Sequence, residues 1–146
     1  MDTLDQKYQK INQALKTLNI AIDNFGEINA MESSPLPFTN YDEMRKTYRD
    51  SLIQRFEFSV DLFWKYLKKY LELIVKQPDI NGPGPVIRAS FAAGLLDEQN
   101  AEIALEMIKA RNLTSHVYIE KIAEKLSKQV PDFYVLMQNT VDRLKP

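Results

Sequence analysis

The sequence predicts an all-α protein, an up-and-down bundle of four to five antiparallel helices. Three observations point there. Apolar residues recur at steps of three and four over long stretches. Val, Ile and Thr never gather into alternating runs, whereas Leu, Lys, Glu, Ala and Gln are common. Glycine is scarce, at 4 of 146 residues. A chain of that length suits one domain, 1–146, around one core.

The elements follow in order. Leu4, Tyr8, Ile11, Leu15, Leu18, Ile22 and Phe25 mark an amphipathic first helix, with Gly26 as its expected stop. The stretch 27–39, with two prolines and two serines, reads as a long loop. Asn40 can cap the second helix, and Glu43 stands where a capping box needs it. No breaker occurs before Pro78, so residues 41–76 would span roughly 54 Å at 1.5 Å per residue. A bend or an exposed end is expected.

That helix carries two apolar stripes. One is Leu52, Phe56, Phe63, Leu67, Tyr70 and Ile74; the other is Phe58, Leu62, Tyr66 and Leu73. It is either central to the domain or also feeds a seam with a second chain. The strongest breaker is "QPDINGPGP", 77–85. A short helix, "VIRASFAAGLL", should close at Gly94, and Asp97 can cap the next. The last helix carries Ile119, Ile122, Leu126, Val130, Phe133, Met137, Val141 and Leu144, with Pro131 expected to kink or divide it.

Composition narrows the chemistry. Lys plus Arg is 19 and Asp plus Glu is 20, so no global basic field draws in nucleic acid. With no cysteine, disulfides, thiolate metal sites and cysteine nucleophiles are excluded. A single histidine cannot supply an HExxH zinc pair, and "GPGP" lacks the Lys and the N–H groups of a phosphate loop. No Asp-x-Asp occurs, which argues against nucleotidyl transfer by this chain. No metal site or cofactor is expected. The polar, acidic start and the lack of a long apolar run make the cytoplasm the expected location, with no membrane contact.

The remaining candidate is "RNLTSHVY", residues 111–118, which holds the one histidine. In an unbroken helix Arg111 and His116 would lie roughly 140° apart. They can share a corner only if the helix breaks between them. Asn112 tolerates a left-handed C-cap, and Thr114 or Ser115 can cap the next helix. With that break Arg111, His116 and Tyr118 would converge, and the N–H groups opening the last helix would favour a phosphate. An imidazole ordinarily titrates near neutrality and can take a proton from a ribose 2′-hydroxyl. A guanidinium can stabilise the charge on a phosphate under attack. Tyr118 can orient the phosphate or stack on a base. The plainer reading is two cations decorating a helix C-terminus.

Polar residues in the second helix bear on this choice. Arg55 with Ser59, Glu57 with Asp61, and Asp61 with Lys65 are i,i+4 neighbours. Carboxylates among Phe, Leu and Trp need partners, so Glu57 or Asp61 can hold Arg111 or His116 in place. The alternative is a solvated stripe with a surface Asp61–Lys65 pair. Arg88 is a second phosphate contact or plain surface charge.

The motif resembles the R-x4-H-x-Y signature of HEPN (higher eukaryotes and prokaryotes nucleotide-binding) proteins. Two further blocks, "RFEFSVDLFWKYLKKYLE" and "GPVIRASFAAGLL", resemble the nucleotidyltransferase substrate-binding-protein branch, as does "MIKARNLTSHVY". Together they cover residues 55–118. The resemblance implies a helical bundle that usually dimerises. It also implies a partner, a minimal nucleotidyltransferase encoded beside it, often as a toxin–antitoxin pair. It further implies nucleotide or RNA binding, with Arg111 and His116 catalytic in a metal-independent endoribonuclease. Tyr118 would be the tyrosine modified with AMP, and Asn112 and Ser115 would support the site. The other implied role is a non-catalytic subunit presenting substrate to the transferase. A purely structural helical dimer is a third possibility.

Overall fold

The computed structural model describes residues 2–31, 33, 40–77 and 79–146. Among these the regular structure is entirely helical: α1 (Leu4–Asn29), α2 (Tyr41–Tyr70), α3 (Pro83–Ala92), α4 (Glu98–Asn112) and α5 (Glu120–Arg143). Five helices meet the expected four to five.

Helix α1 starts with a capping box that was not anticipated from sequence. The Thr3 side chain accepts from the Gln6 amide, and the Gln6 side chain accepts from the Thr3 amide. Its stripe packs as expected, with Ile11, Leu15 and Leu18 fully enclosed. Gly26 does not stop it. The apolar pattern continues to buried Ile28, and one more turn of buried surface outweighs the modest cost of an internal glycine. The expected loop therefore loses its first residues, 27–29, to α1. Its residues 32 and 34–39 lie outside the described residues.

Helix α2 begins as expected, with the Asn40 side chain accepting from the Glu43 amide. It touches α1, α3, α4 and α5, which makes it the central helix. Leu52, Phe56, Phe63 and Leu67 are buried, and Phe56 stacks on Phe133 of α5 at 5.7 Å between centroids. The second stripe is divided. Tyr66 is fully enclosed and donates to the Leu144 carbonyl, whereas Phe58 and Leu73 are exposed. The helix runs on into a π-helical turn, Leu71–Val75, and ends where Lys76 adopts a left-handed φ of 60°. Leu73 and Ile74 stand in solvent on this turn, so the expected exposed end is found here.

Helix α3 starts earlier than expected, at Pro83 inside the "GPGP" breaker. A proline in the first turn loses no helical hydrogen bond, and Gly82 supplies the φ of 99° that the turn before it requires. Gly94 closes the element with a φ of 78°. Asp97 caps α4 through the Asn100 amide. Pro131 does not divide the last helix: α5 is continuous through it. Val130 and Phe133 on either side are both buried, and packing of that face overrides the one missing donor.

The core draws on all five helices. Replacing Phe56 by Ala empties a fully enclosed site and should cost about 3–5 kcal/mol. Urea unfolding should show a lower midpoint at an unchanged slope.

Candidate functional site at the α4–α5 junction

The chain does break where the motif needs it to. Helix α4 ends at Asn112, and a single 3-10 turn, Thr114–His116, leads toward α5. The capping differs from expectation. Neither Thr114 nor Ser115 caps α5; Ile119 holds that position with no side-chain bond. Thr114 instead is buried and closes the end of α4. Its hydroxyl donates to the Arg111 carbonyl at 2.8 Å and accepts from Arg111 Nη1 at 3.3 Å.

Arg111 turns inward onto α2. Its Nε and Nη2 donate to the two oxygens of Asp61 at 2.9 and 3.0 Å, a bidentate fork. Glu57, one turn away on α2, adds an ion pair at 3.2 Å. The Asp61 hydrogen bond raises the Arg111 pKa above its ordinary value against the opposing effect of burial. The carboxylates expected to need a partner thus share one arginine. No Asp61–Lys65 ion pair forms among the described residues; Lys65 lies over the Trp64 ring instead. Ser59 is buried and donates to the Arg55 carbonyl.

His116 and Tyr118 stay outside. His116 is exposed, and its ring centre is 6.1 Å from that of Tyr118. Tyr118 is 76% exposed, the most of any large apolar or aromatic side chain described. Asn112 and Ser115 are exposed on the same turn. The junction therefore carries an inward arginine tied to α2 and Thr114, and an exposed imidazole and phenol further along the chain. No hydrogen bond or ion pair joins Arg111 to His116 among the described residues. Arg88 is not drawn in either. It is exposed on α3 and folds back toward Gly84, where an added Cβ would meet its Nη1 at 3.2 Å. The positive end of α5 already holds an anion of the chain's own, Glu120 in the first turn.

A second charged cluster, not anticipated from sequence, fixes the α5 side. Arg49 is 2% exposed, on the junction-facing side of α2. It donates to Glu120 at 2.7 Å and to Glu124 at 3.0 Å, and it also reaches Asp50. Arg45 forks onto Glu124 with two bonds of 2.7 Å and reaches Asn29 of α1. The signal available was the matched i,i+4 spacing of two arginines and two glutamates. The Arg45 hydrogen bonds draw the Glu124 carboxyl down to about 2, with burial opposing and Arg49 assisting.

These features define a class: a helical bundle whose α4–α5 break carries an inward arginine and an exposed histidine and tyrosine. Comparison with known proteins supports the fold and the family. The chain belongs to the nucleotidyltransferase substrate binding protein-like family, whose profile matches residues 6–146. This bears out the resemblance to that branch of the HEPN proteins. The chain is 27% identical over 112 residues to a protein named probable ribonuclease HepT from Haemophilus influenzae, covering 72% of this chain and 75% of that one. A crystal structure of a protein from Thermus thermophilus superposes with a TM-score of 0.66 at 32% identity, covering 88% of this chain and 99% of that one. Among the described residues no helix is long and apolar enough to cross a membrane.

The clamp on α5 should weaken in acid. The depressed Glu124 carboxyl contributes stability that is complete above its ordinary value of 4.5 and is lost as pH falls toward about 2. The melting temperature should fall through that window, and Glu124→Gln should flatten the fall. With 30% of its side chain in solvent, Glu124 should contribute roughly 2 kcal/mol at neutral pH. Asp61→Asn, in a more open pair, should cost only about 1 kcal/mol by denaturant titration.

Proposed function

We propose that this chain is the HEPN-type subunit of a pair with a minimal nucleotidyltransferase, carrying a metal-independent RNA-cleaving corner at Arg111 and His116. The observation that carries the reading is the junction itself. A guanidinium held on α2 precedes one 3-10 turn, and an exposed imidazole ends it. The similarity to a probable ribonuclease supports the same chemistry.

In this reading the His116 imidazole takes the proton of a ribose 2′-hydroxyl. The 2′-oxygen attacks the adjacent phosphorus, the bond to the 5′-oxygen of the next nucleotide breaks, and that oxygen takes a proton from water while the His116 imidazolium returns its own to solvent. The products are a 2′,3′-cyclic phosphate and a 5′-hydroxyl. Arg111 neutralises the charge gathering on the phosphate by exchanging part of its bond with Asp61 for a phosphate oxygen. The exposed Tyr118 phenol is the target of the transferase. Its oxygen attacks the α-phosphorus of ATP, pyrophosphate leaves, and the AMP added beside His116 silences the corner. Cytoplasmic placement, a toxin–antitoxin role and a homodimer belong to the same proposal. The apolar surface of Leu113, Tyr118 and Ile119 around the turn suits burial against a second chain.

One observation favours a second reading, a non-catalytic subunit that presents substrate to the transferase. The Arg111 fork is already filled by Asp61 and Glu57, as a purely structural arginine would be. The family description, substrate binding, fits that role.

Incubating the purified chain with RNA in excess EDTA separates the two. Cleavage to cyclic-phosphate ends that falls at least ~100-fold in His116→Ala supports the ribonuclease. Equal background from both proteins sinks it and leaves the presenting role. Co-expression with the adjacent transferase should leave Tyr118 carrying added AMP mass in peptide mass spectra; an unmodified tyrosine rejects the silencing step.

A further inference from the structure

The seam between α1 and α2 carries a trough that runs past Asp61. Three depressions adjoin along it because they share walls. Lys10 and Leu62 border both the first and the second, and Lys7 and Lys65 border both the second and the third. The first is the largest, at about 490 Å3, and Asp61 forms part of its wall. Helical periodicity builds the trough. Lys7, Lys10, Ala14 and Thr17 recur at steps of three and four on α1; Phe58, Leu62, Lys65 and Lys69 do so on α2. From Lys69 to Phe58 the wall runs about 16 Å.

The charge along it is strongly one-sided at one end. Lys7, Lys65, Lys68 and Lys69 converge on the third depression with Glu72 as its one acid. Lys68 is held by Asp79 and Glu72, and Lys10 by Asp2. Lys7, Lys65 and Lys69 have no ion-pair partner among the described residues. Asp61, in the wall of the first depression beside Arg55 and Phe58, does not repel an anion strongly, because the Arg111 fork neutralises it. Two aromatic faces line the path: Trp64, with Lys65 Nζ 5.9 Å from its ring, and Phe58, which is 56% exposed. Lysines spaced along a groove with aromatic faces between them are what a single-stranded nucleic acid needs, for its phosphates and its bases respectively. The chain's net charge of −1 conceals this, because only Asp2, Asp61 and Glu72 of its acids line the trough, against Lys7, Lys10, Arg55, Lys65, Lys68 and Lys69.

We propose that this trough is a track for single-stranded RNA, which leads the strand along α1 and α2 to the Arg111 corner. The inference rests on the ribonuclease reading for its choice of RNA. A single strand also suits the chemistry, since in-line attack by a 2′-hydroxyl needs a backbone free to rotate.

The test is fluorescence anisotropy with a short fluorescein-labelled polyuridine RNA, on the full chain with His116→Ala so that the probe stays intact. Adding Lys7→Gln, Lys65→Gln and Lys69→Gln should weaken binding at least ~10-fold near 0.1 M salt and reduce the slope of log affinity against log salt by about 2. Lys125→Gln, Lys128→Gln and Lys145→Gln make the same change in net charge elsewhere and should bind as the parent does. Where circular dichroism shows the trough variant unfolded, Lys65→Gln and Lys69→Gln are measured singly, each expected to reduce the slope by about 0.7. An unchanged slope, equal losses from both sets, or no binding by the parent overturns the track. Cleavage is read separately on the wild-type chain. Binding along the trough without cleavage overturns the ribonuclease reading alone, and cleavage with an indifferent trough overturns the track alone.

Discussion

Helix α2 holds both ends of the α4–α5 junction by charge, and the geometry of the corner depends on that. Asp61 and Glu57 take Arg111 at the end of α4; Arg45 and Arg49 take Glu120 and Glu124 at the start of α5. Arg49 and Asp61 are about 18 Å apart along the helix. A single continuous helix therefore sets the separation of the two ends of the motif. The clamps are unequal. Arg49 is buried, so moving α5 would strand a charge away from water at a cost of several kcal/mol. Asp61 and Arg111 remain in partial contact with solvent, and their bond is weaker and easier to exchange.

Much of this was legible in the sequence, because the relevant signals are local. Steps of three and four identified the helices, and Asn40 and Asp97 marked two of their starts. A break at "NLTS" is the condition for Arg111 and His116 to share a corner; the structure places a 3-10 turn there, but without the caps that stretch offers. The carboxylates of α2 were identified by a cost argument: charges among Phe, Leu and Trp need partners, and Arg111 is the partner. Errors arose where tertiary packing overrode a local rule. Gly26 and Pro131 are poor helix residues, yet both lie within helices whose apolar faces continue past them. Pro83 was read as a breaker when its position made it a helix start. The Arg49 clamp stayed hidden because its partners lie 71 and 75 residues away, and only the fold shows which i,i+4 pairs meet.

The divided second stripe of α2 shows how one helix serves both stability and a surface. Tyr66 on that stripe is enclosed and tied to the Leu144 carbonyl, and burial raises its phenol pKa. Phe58 on the same stripe faces the α1 seam and Leu73 faces solvent. A helix apolar on two sides thus need not imply two protein neighbours. Part of the second side forms the floor of a groove whose rim is lysine, and the long lysine stems cover apolar surface while their charges remain in water.

The Asp61 fork has a further consequence for what the corner can recognise. Its two oxygens present to Arg111 nearly what a phosphate would, so Asp61 acts as an intramolecular competitor at high effective concentration. Any incoming anion meets a guanidinium that is available only for the fraction of time the fork is open, and its apparent affinity falls by that fraction. A small free anion has only that one contact with which to compete. A polymer anchored at other points re-presents its phosphate repeatedly and can win the exchange. On the ribonuclease reading proposed above, the carboxylate would act as a filter on chain length, favouring anions that arrive as part of something longer.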